Sequence, residues 1–389
     1  MKRRGFVKNF SLAAGSAMLG GCASGGDSFN GSESFKGVGS AKASGNVAKA
    51  DGGGDPTMRG PFPILSTPYD ASGEVDFQTL SREARFVCGC GCNMIWPQSG
   101  DSIDLLTVRE KLDGMEAIAK ALQGLGATVA FGCNGKDIPQ MVEFVEHVEA
   151  LAGKYKNTRI AIISRPPESA QSQADVKKYF LELEKHTERP AIIQTVGGIS
   201  CGLKDPVDVD LLIELAKRNP KVFGYVKEET GNAAKCAARM SREIASKPSI
   251  HTVYSAWGAT QWLFQARRIG SEGVITERPA YADLLAHIWS RMENGDADGT
   301  LADAFSKLLL AYNFSVYCKG GTLDDLRGAH LYVLQKRGVF KNRISREYEK
   351  VNGRLAIPKN RIVGEFKMSR RQTDEIDACL GAMRPYINF

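Results

Sequence analysis

Short apolar runs alternate with longer segments of helical periodicity along most of this chain, and no other sequence feature constrains the fold as strongly. The pattern is typical of a parallel sheet, because a helix carries the chain back between neighbouring parallel strands. The candidate strands are Phe62–Ser66, Asn93–Pro97, Thr128–Gly132, Arg159–Ser164, Ala191–Thr195, Val222–Lys227, Thr252–Ser255 and Gly273–Thr276. Eight strands in this arrangement predict an α/β fold, a closed (β/α)₈ TIM barrel.

Helical segments separate the candidate strands, and four more follow the eighth strand. The segments between strands are Asp76–Cys88, Thr107–Gln123, Ile138–Ala152, Gln173–Thr187, Val209–Asn219, Ala234–Ser246 and Gln261–Ile269. Those after the eighth strand are Tyr281–Met292, Gly299–Ser315, Thr322–Gln335 and Gln372–Met383. A barrel repeat needs one helix per strand, so this surplus predicts a C-terminal helical extension at residues 281–389, packed on a barrel at residues 60–280.

The N-terminal 59 residues have the composition of an export signal followed by a tether. Arg3-Arg4-Gly5-Phe6-Val7-Lys8 resembles a twin-arginine export motif, and Leu19-Gly20-Gly21-Cys22 resembles a lipobox. We expect residues 1–22 to be a lipoprotein signal with Cys22 as the acylated N-terminus, and residues 23–59 to be a flexible Gly/Ser-rich tether. The protein would then lie in the periplasm or cell envelope, with a lipid as its sole membrane attachment. A disordered basic tail is the alternative.

Charge and composition narrow the classes of partner. The formal net charge is +7, but Lys2, Arg3, Arg4 and Lys8 carry four of those charges, which leaves +3 on the rest of the chain. The other basic residues are interspersed with acidic ones, as on an ordinary solvated surface. A nucleic-acid partner is therefore not expected. We expect a small-molecule substrate instead.

Cysteine and histidine do not occur in the patterns that metal sites require. Cys88-Gly89-Cys90-Gly91-Cys92 lacks the Cys-x₂₋₄-Cys pairing of zinc sites, and the five histidines are scattered. We interpret the cysteines as small apolar packing residues at a helix end and a strand start, and we predict no metal.

Chemistry in a barrel sits at the carboxyl ends of its strands. The residues there are Ser66, Thr67, Gln98–Asp101, Asn134, Arg165, Gln194, Thr195, Lys227–Glu229, Trp257 and Thr276–Arg278. Lys227 is the lysine that closes a strand in this set, and a buried lysine amine can act as a nucleophile.

Four motifs carry a family resemblance, in order and with compatible spacing. They are Thr67-Pro68-Tyr69-Asp70 with Gly73-Glu74-Val75-Asp76-Phe77, then Gln98-Ser99-Gly100-Asp101, Gly224-Tyr225-Val226-Lys227-Glu228-Glu229 and Gly270-Ser271-Glu272-Gly273-Val274-Ile275-Thr276. Together they resemble the dihydrodipicolinate synthase and N-acetylneuraminate lyase family of Schiff-base aldolases. The resemblance implies that Lys227 attacks the keto carbon of a 2-keto acid and forms an imine, without a cofactor. It also implies a homo-oligomer, since relatives of this type commonly form tetramers.

The chain departs from the family pattern at residues that matter for catalysis. Gln194 stands where the family has a tyrosine proton relay on strand five, and an amide does not exchange protons as a phenol does. The arginine expected after that strand is missing, so we do not expect dihydrodipicolinate synthesis. We predict instead a lyase for a 2-keto acid or sugar-derived carbonyl compound, with Lys227 catalytic. The predicted substrate-binding residues are Gln98, Ser99, Gly100, Asp101, Gln194, Trp257 and Thr276.

Two other functions remain open from the sequence. One is a non-catalytic lipoprotein that binds a carbohydrate or keto acid on the same barrel, which the loss of the tyrosine would explain. The other is an isomerase or hydrolase with Glu229 or Glu277 as its general base, which no motif supports.

Overall fold

The computed structural model describes the chain from residue 54 to residue 388. The described part excludes residues 99–102, 104, 197–202, 204, 257–258, 318–322, 347–348, 352–353, 357–362 and 366–367.

Eight parallel strands of the described chain form one sheet that closes on itself. The strands are β1 (Gly60–Pro63), β2 (Met94–Trp96), β3 (Thr128–Gly132), β4 (Arg159–Ser164), β5 (Ala191–Gln194), β6 (Tyr225–Lys227), β7 (Thr252–Ser255) and β8 (Gly273–Thr276). From β2 to β8 each strand pairs with the next one in sequence, and β1 pairs with β8. A parallel bridge between Ile64 and Ile95 joins the chain after β1 to β2. The predicted (β/α)₈ barrel is confirmed.

Helices connect the strands and continue after the barrel. Those of the barrel are α1 (Phe77–Gly89), α2 (Val108–Ala121), α3 (Ile138–Lys154), α4 (Gln173–His186), α5 (Val209–Arg218), α6 (Ala233–Ile244) and α7 (Trp262–Phe264), which continues as the π-helical turn Gln265–Ile269. After β8 come α8 (Ala282–Asn294), α9 (Leu301–Tyr317), α10 (Leu323–Lys336) and α11 (Arg370–Met383). Among these helices, none combines the length and apolar composition that crossing a membrane requires.

Side-chain caps explain where several helices begin. Thr107 and Ser172 each accept a hydrogen bond from the third residue of the following helix, and the side chain of that residue bonds back to the cap backbone. Such reciprocal caps satisfy backbone N–H groups that have no partner within the helix. They set the start of α2 and α4 at the carboxyl-end face of the barrel.

The structure differs from the sequence prediction in three main places. The first strand spans Gly60–Pro63 instead of the predicted Phe62–Ser66, because its pairing with β8 begins at Gly60 opposite Gly273. Val222 and Phe223, predicted as strand, belong to a helical turn, Pro220–Phe223, because the Asn219 side chain caps it through the Val222 N–H. The region after α10 also contains strands, as well as the predicted helices. These are β9 (Ile344–Arg346), β10 (Glu349–Val351), β11 (Arg354–Ala356) and β12 (Val363–Glu365), paired as β9 with β12 and β10 with β11. Three-residue strands are too short to produce a detectable periodicity.

The barrel interior is filled at its amino end and polar at its carboxyl end. Inward-facing apolar residues form one buried cluster. Below it, the Tyr225 hydroxyl accepts a hydrogen bond from the Asp55 N–H at 3.0 Å, and the Tyr254 hydroxyl donates to the Met58 carbonyl. The segment before β1 therefore closes the bottom of the barrel, and the carboxyl end holds the polar side chains described below.

Packing of α2 against the barrel depends on the absence of a side chain at Gly114. A Cβ there would lie 2.2 Å from the ring of Trp96, which is fully buried in β2. We expect Gly114→Ala to reduce the free energy of unfolding by about 1–3 kcal/mol, because the ring and helix would be forced apart.

Gly153 in α3 is the matched control. A Cβ at Gly153 would meet nothing within 4 Å. Alanine is the better helix former, so Gly153→Ala should raise the free energy of unfolding by about 0.5–1 kcal/mol. Urea unfolding of both variants would measure this, and equal effects of the two changes would contradict the packing account.

Candidate active site

Lys227 occupies the last position of β6 and points into the mouth of the barrel. Side chains alternate along a strand, and Tyr225, two residues earlier, lines the barrel interior. Only 5% of Lys227 is exposed. In the sheet register it lies beside Gln194 on β5 and Tyr254 on β7. The predicted nucleophile is thus a buried inward lysine at the carboxyl end of the barrel.

Glu229 supplies the counter-charge. Its Oε2 lies 2.8 Å from the Lys227 Nζ, and its side chain is 26% exposed. An ammonium buried without such a partner would be costly, so this carboxylate stabilises Lys227 in its charged form. It also places a proton acceptor in direct contact with the amine.

A row of carboxamides leads to the same carboxylate. The Gln194 Nε2 donates to the Glu229 Oε2 at 2.8 Å, and the Gln98 Nε2 donates to the Gln194 Oε1. The Asn134 Nδ2 in turn donates to the Gln98 Oε1 at 2.8 Å. These residues follow or end β3, β2 and β5, so the network spans the mouth of the barrel.

The groups at the two ends of this row fix which atom donates in every hydrogen bond between them. The Arg165 backbone N–H donates to the Asn134 Oδ1 at 3.1 Å, and a carboxylate can only accept. Each amide therefore receives through its oxygen and donates through its nitrogen. One further N–H per amide remains for another acceptor, so Asn134, Gln98 and Gln194 offer donors to a ligand with carbonyl, carboxylate or hydroxyl oxygens.

Glu228 points the opposite way from Lys227, into the layer between strands and helices. It is fully buried, and it accepts hydrogen bonds from the Thr230 N–H at 2.7 Å and the Thr195 hydroxyl at 3.2 Å. The Arg239 Nε of α6 donates to its other oxygen at 3.0 Å. The Thr195 hydroxyl also accepts from the Glu229 N–H at 3.0 Å. These bonds set the backbone that turns Glu229 towards Lys227.

A second carboxyl group, Glu243 of α6, is buried beside Glu228. It too is fully buried, and its Oε1 lies 3.9 Å from the Arg239 Nη2. Burial and the adjacent negative charge of Glu228 raise the pKa of Glu243 well above its ordinary value, against the opposing effect of Arg239. One guanidinium thus faces two buried carboxyl groups, which favours the neutral form of Glu243.

Six cysteines lie in the described part of the chain, all as free thiols: Cys88, Cys90, Cys92, Cys133, Cys236 and Cys379. Burial raises the pKa of the Cys90 thiol to about 12, and that of the Cys236 thiol to about 12. Neutral buried thiols agree with the interpretation of the cysteines as packing residues. Within the same part, no group of three or more His, Cys, Asp and Glu side chains is arranged to hold a metal ion.

Comparison with known proteins gives matches in sequence and in fold. No family model matches the chain. The 4-hydroxy-tetrahydrodipicolinate synthase of Lactobacillus acidophilus is 21% identical over 237 residues, which are 60% of this chain and 70% of that protein. The synthase of Lactobacillus helveticus is 20% identical over 231 residues, 58% of this chain and 66% of that protein.

Solved structures match over most of the chain. The sialic acid aldolase of Ruminococcus gnavus superposes with a TM-score of 0.66 at 13% identity, covering 85% of this chain and 100% of that one. The dihydrodipicolinate synthase of Rhodopseudomonas palustris gives 0.64 at 16% identity, covering 84% and 98%. In sequence the chain is thus similar to dihydrodipicolinate synthases, and its fold is similar to that of both these synthases and sialic acid aldolases.

Of the site residues predicted from the sequence, the structure brings together Lys227, Gln98 and Gln194. It does not join Thr276 to them. The Thr276 Oγ1 accepts from the Arg278 Nη1 at 3.5 Å, and since Ile275 lines the barrel interior, Thr276 lies on the opposite face of β8. Ser99, Gly100, Asp101, Trp257 and Cys22 lie outside the described residues.

Asn134 was among the strand-end candidates but was not predicted to bind substrate, and no role was predicted for Arg239 and Glu243 behind the strand. Asn134 follows β3 as Gln98 follows β2, and that shared position was the available signal. Arg239 and Glu243 are four residues apart on α6, a spacing that places both on one helix face. Nothing in the local sequence shows that this face meets Glu228.

The raised pKa of Glu243 predicts a specific pH dependence of stability. A carboxyl whose pKa is raised in the fold contributes most below its ordinary pKa of 4.5, and that contribution is lost as the pH rises towards the raised value. The loss is at most about 1.4 kcal/mol per pH unit for one proton. Glu243→Gln keeps the shape and a donor without ionising, so it should be more stable than the parent protein at pH 8, with the difference shrinking towards pH 5.

Thermal and urea unfolding between pH 5 and pH 9 would measure the effect. Glu214→Gln is the control, because Glu214 lies on the exposed face of α5 in a surface ion pair with Lys177. An unchanged pH slope in Glu243→Gln would show that Glu243 is ionised in the fold.

Proposed function

We propose that the protein is a lyase that forms an imine between Lys227 and the keto carbon of a 2-keto acid, and then cleaves a carbon–carbon bond of a sugar-derived substrate. The observation that carries this proposal is the contact between the buried Lys227 Nζ and the Glu229 carboxylate in the barrel mouth. A nucleophilic lysine needs a base that removes its proton and an acid that returns one. Glu229 is placed to do both.

The first step transfers a proton from the Lys227 ammonium to Glu229 and leaves a neutral amine and a carboxylic acid. The amine nitrogen then bonds to the keto carbon, the carbonyl π electrons move to oxygen, and the nitrogen loses a proton as that oxygen gains one. The resulting carbinolamine hydroxyl leaves as water with the proton that Glu229 holds. Lys227 and substrate are then joined as an iminium ion. Glu229 thereby takes the proton-transfer role that the resemblance gives to a tyrosine, which Gln194 cannot fill.

Cleavage follows from the electron demand of the iminium ion. When a hydroxyl two carbons from the imine carbon gives its proton to the Glu229 carboxylate, the intervening carbon–carbon bond breaks, an aldehyde leaves, and the electron pair moves to the nitrogen as an enamine. Protonation of the enamine and addition of water release the keto acid and restore the amine. Asn134, Gln98 and Gln194 present N–H donors beside this centre and are suited to the oxygens of a polyhydroxylated substrate.

A binding role without turnover is the second candidate, and one observation favours it. Lys227 is already paired with Glu229, and such a pair can hold an ammonium permanently in place as a cation for a ligand carboxylate. The two functions differ in whether any bound sugar-derived acid is consumed.

The lyase proposal predicts that Lys227→Arg has no cleavage activity, because a guanidinium does not become an amine nucleophile at any accessible pH. Release of aldehyde and keto acid from a panel of 2-keto sugar acids would be followed. Lys221→Arg is the control, since Lys221 is exposed and paired with Glu188 at the surface. Cleavage by Lys227→Arg at the parent rate would refute the proposal.

Glu229→Gln separates the two candidates further. It retains size and hydrogen bonding but cannot accept the lysine proton, so imine formation should slow by about 10²–10⁴-fold. For a binding protein, the same change removes a negative charge beside Lys227 and should strengthen the binding of an anion. If Glu229→Gln binds a keto acid more tightly than the parent protein and its turnover is unchanged, the binding role is favoured.

A further inference from the structure

The segment after α10 reaches back over the carboxyl-end face of the barrel. Arg346 ends β9 and is almost fully buried, at 2% exposure. Its Nε donates to the Gly73 carbonyl at 2.8 Å, and its Nη1 donates to the Leu105 carbonyl at 3.1 Å. Gly73 lies between β1 and α1, and Leu105 lies between β2 and α2. Both connections start at strand carboxyl ends, which is the end where Lys227 lies.

A carboxylate in α2 completes the surroundings of this guanidinium. The Glu110 Oε2 accepts from the Arg346 Nη1 at 3.1 Å, and the Glu110 Oε1 accepts from the Nη2. The guanidinium also lies 4.7 Å from the centroid of the Tyr69 ring. Burial alone would raise the pKa of Glu110, but the donors from Arg346 and Thr107 outweigh it and lower the pKa. The pair is therefore ionised, bidentate and buried, the geometry for which arginine is better suited than lysine.

Described contacts connect Glu110 to the candidate active site. Glu110 is the third residue of α2, and its side chain bonds back to the cap residue Thr107. Further along, α2 packs through Gly114 on the Trp96 ring, and the Trp96 Nε1 donates to the Thr67 hydroxyl at 3.3 Å. Gln98, which bonds to both Asn134 and Gln194, comes two residues after Trp96.

Neighbouring side chains of the same segment support the contact. The Asn342 Nδ2 donates to the Tyr69 carbonyl at 3.2 Å, and the Lys341 Nζ lies 3.1 Å from the Asp76 Oδ2. Both partners belong to the connection between β1 and α1 or to the cap of α1. The segment thus meets that connection at several points, and Arg346 contacts both it and Leu105, just before α2.

We propose that Arg346 is a positioning residue of the active site: by binding Glu110, Gly73 and Leu105 at once, it holds the connection after β1 and the start of α2 in the arrangement that presents Gln98 to substrate. This inference rests on the proposed function to the extent that Gln98 contacts the substrate. Arg346 itself does not take part in the chemistry. It acts on substrate binding through α2 and the connection after β1.

The test compares Arg346→Met, Arg346→Lys and Arg343→Met in the full chain. Methionine keeps the length and apolar stem of arginine but removes every donor. Arg343 is the matched control, because it belongs to the same segment and contacts Glu365 and the Tyr332 ring instead of the barrel connections. For Arg346→Met we expect KM to rise by about tenfold or more with kcat changed much less, because substrate positioning is lost while Lys227 and Glu229 remain. Arg346→Lys should recover part of the loss, and Arg343→Met should resemble the parent protein.

Amide hydrogen exchange without ligand gives a readout that does not depend on activity. Peptides covering residues 64–76 and 105–112 should exchange faster in Arg346→Met than in the parent, and peptides of β6 should not. If the parent protein shows no turnover, the proposed function fails, and the exchange result still decides whether Arg346 holds these connections. Unchanged exchange and unchanged KM in a folded Arg346→Met would overturn the inference. An equal effect of Arg343→Met on KM and exchange would also overturn it. The same holds if the activity of Arg346→Lys falls only in proportion to the amount of folded protein.

Discussion

The arrangement at the barrel mouth depends on one contact, the ion pair between Lys227 and Glu229. A lysine that is 5% exposed needs a counter-charge, since removing an unpaired ammonium from water costs several kcal/mol. Glu229 provides it at 2.8 Å, and the Gln194 amide donates to the same oxygen. The pair is neutral as a unit, so a proton can pass between its members without a net charge change in the pocket. That property connects the stability of the resting site with the proposed chemistry.

Two layers of polar residues meet at the end of β6 and serve different purposes. On the inner side, the amide row from Asn134 to Gln194 orients Glu229 and offers donors to a ligand. On the outer side, Glu228 accepts from Thr230, Thr195 and Arg239, and burial raises the pKa of the neighbouring Glu243. Because side chains alternate along a strand, adjacent residues 227, 228 and 229 can belong to both layers. The outer layer fixes the backbone, and the inner layer holds the reactive groups.

Much of the barrel can be predicted from the sequence, because the signal for each strand lies in the residues of that strand and its immediate neighbours. The bounds of β3, β4, β7 and β8 are those predicted, because each is a short apolar run bounded by polar or turn residues. The nearness of Lys227, Gln194 and Gln98 was also expected, since all three lie at strand carboxyl ends. Contacts between distant segments left no such signal. The Arg346–Glu110 pair joins residues 236 positions apart, and nothing near either residue identifies the other. The start of β6 was wrong because an Asn-Pro cap at Asn219 outweighed the apolar run that follows it.

The most direct test of the central claim is reduction of the proposed imine on the intact protein. The protein would be incubated with pyruvate, and separately with 2-keto sugar acids, in the presence of sodium borohydride, then analysed by intact mass and by peptide mapping. Our account predicts a mass increase equal to the reduced adduct of the acid used, located on Lys227 and absent from Lys227→Arg. An absence of adduct with every acid, or an adduct spread over surface lysines and retained in Lys227→Arg, would contradict it.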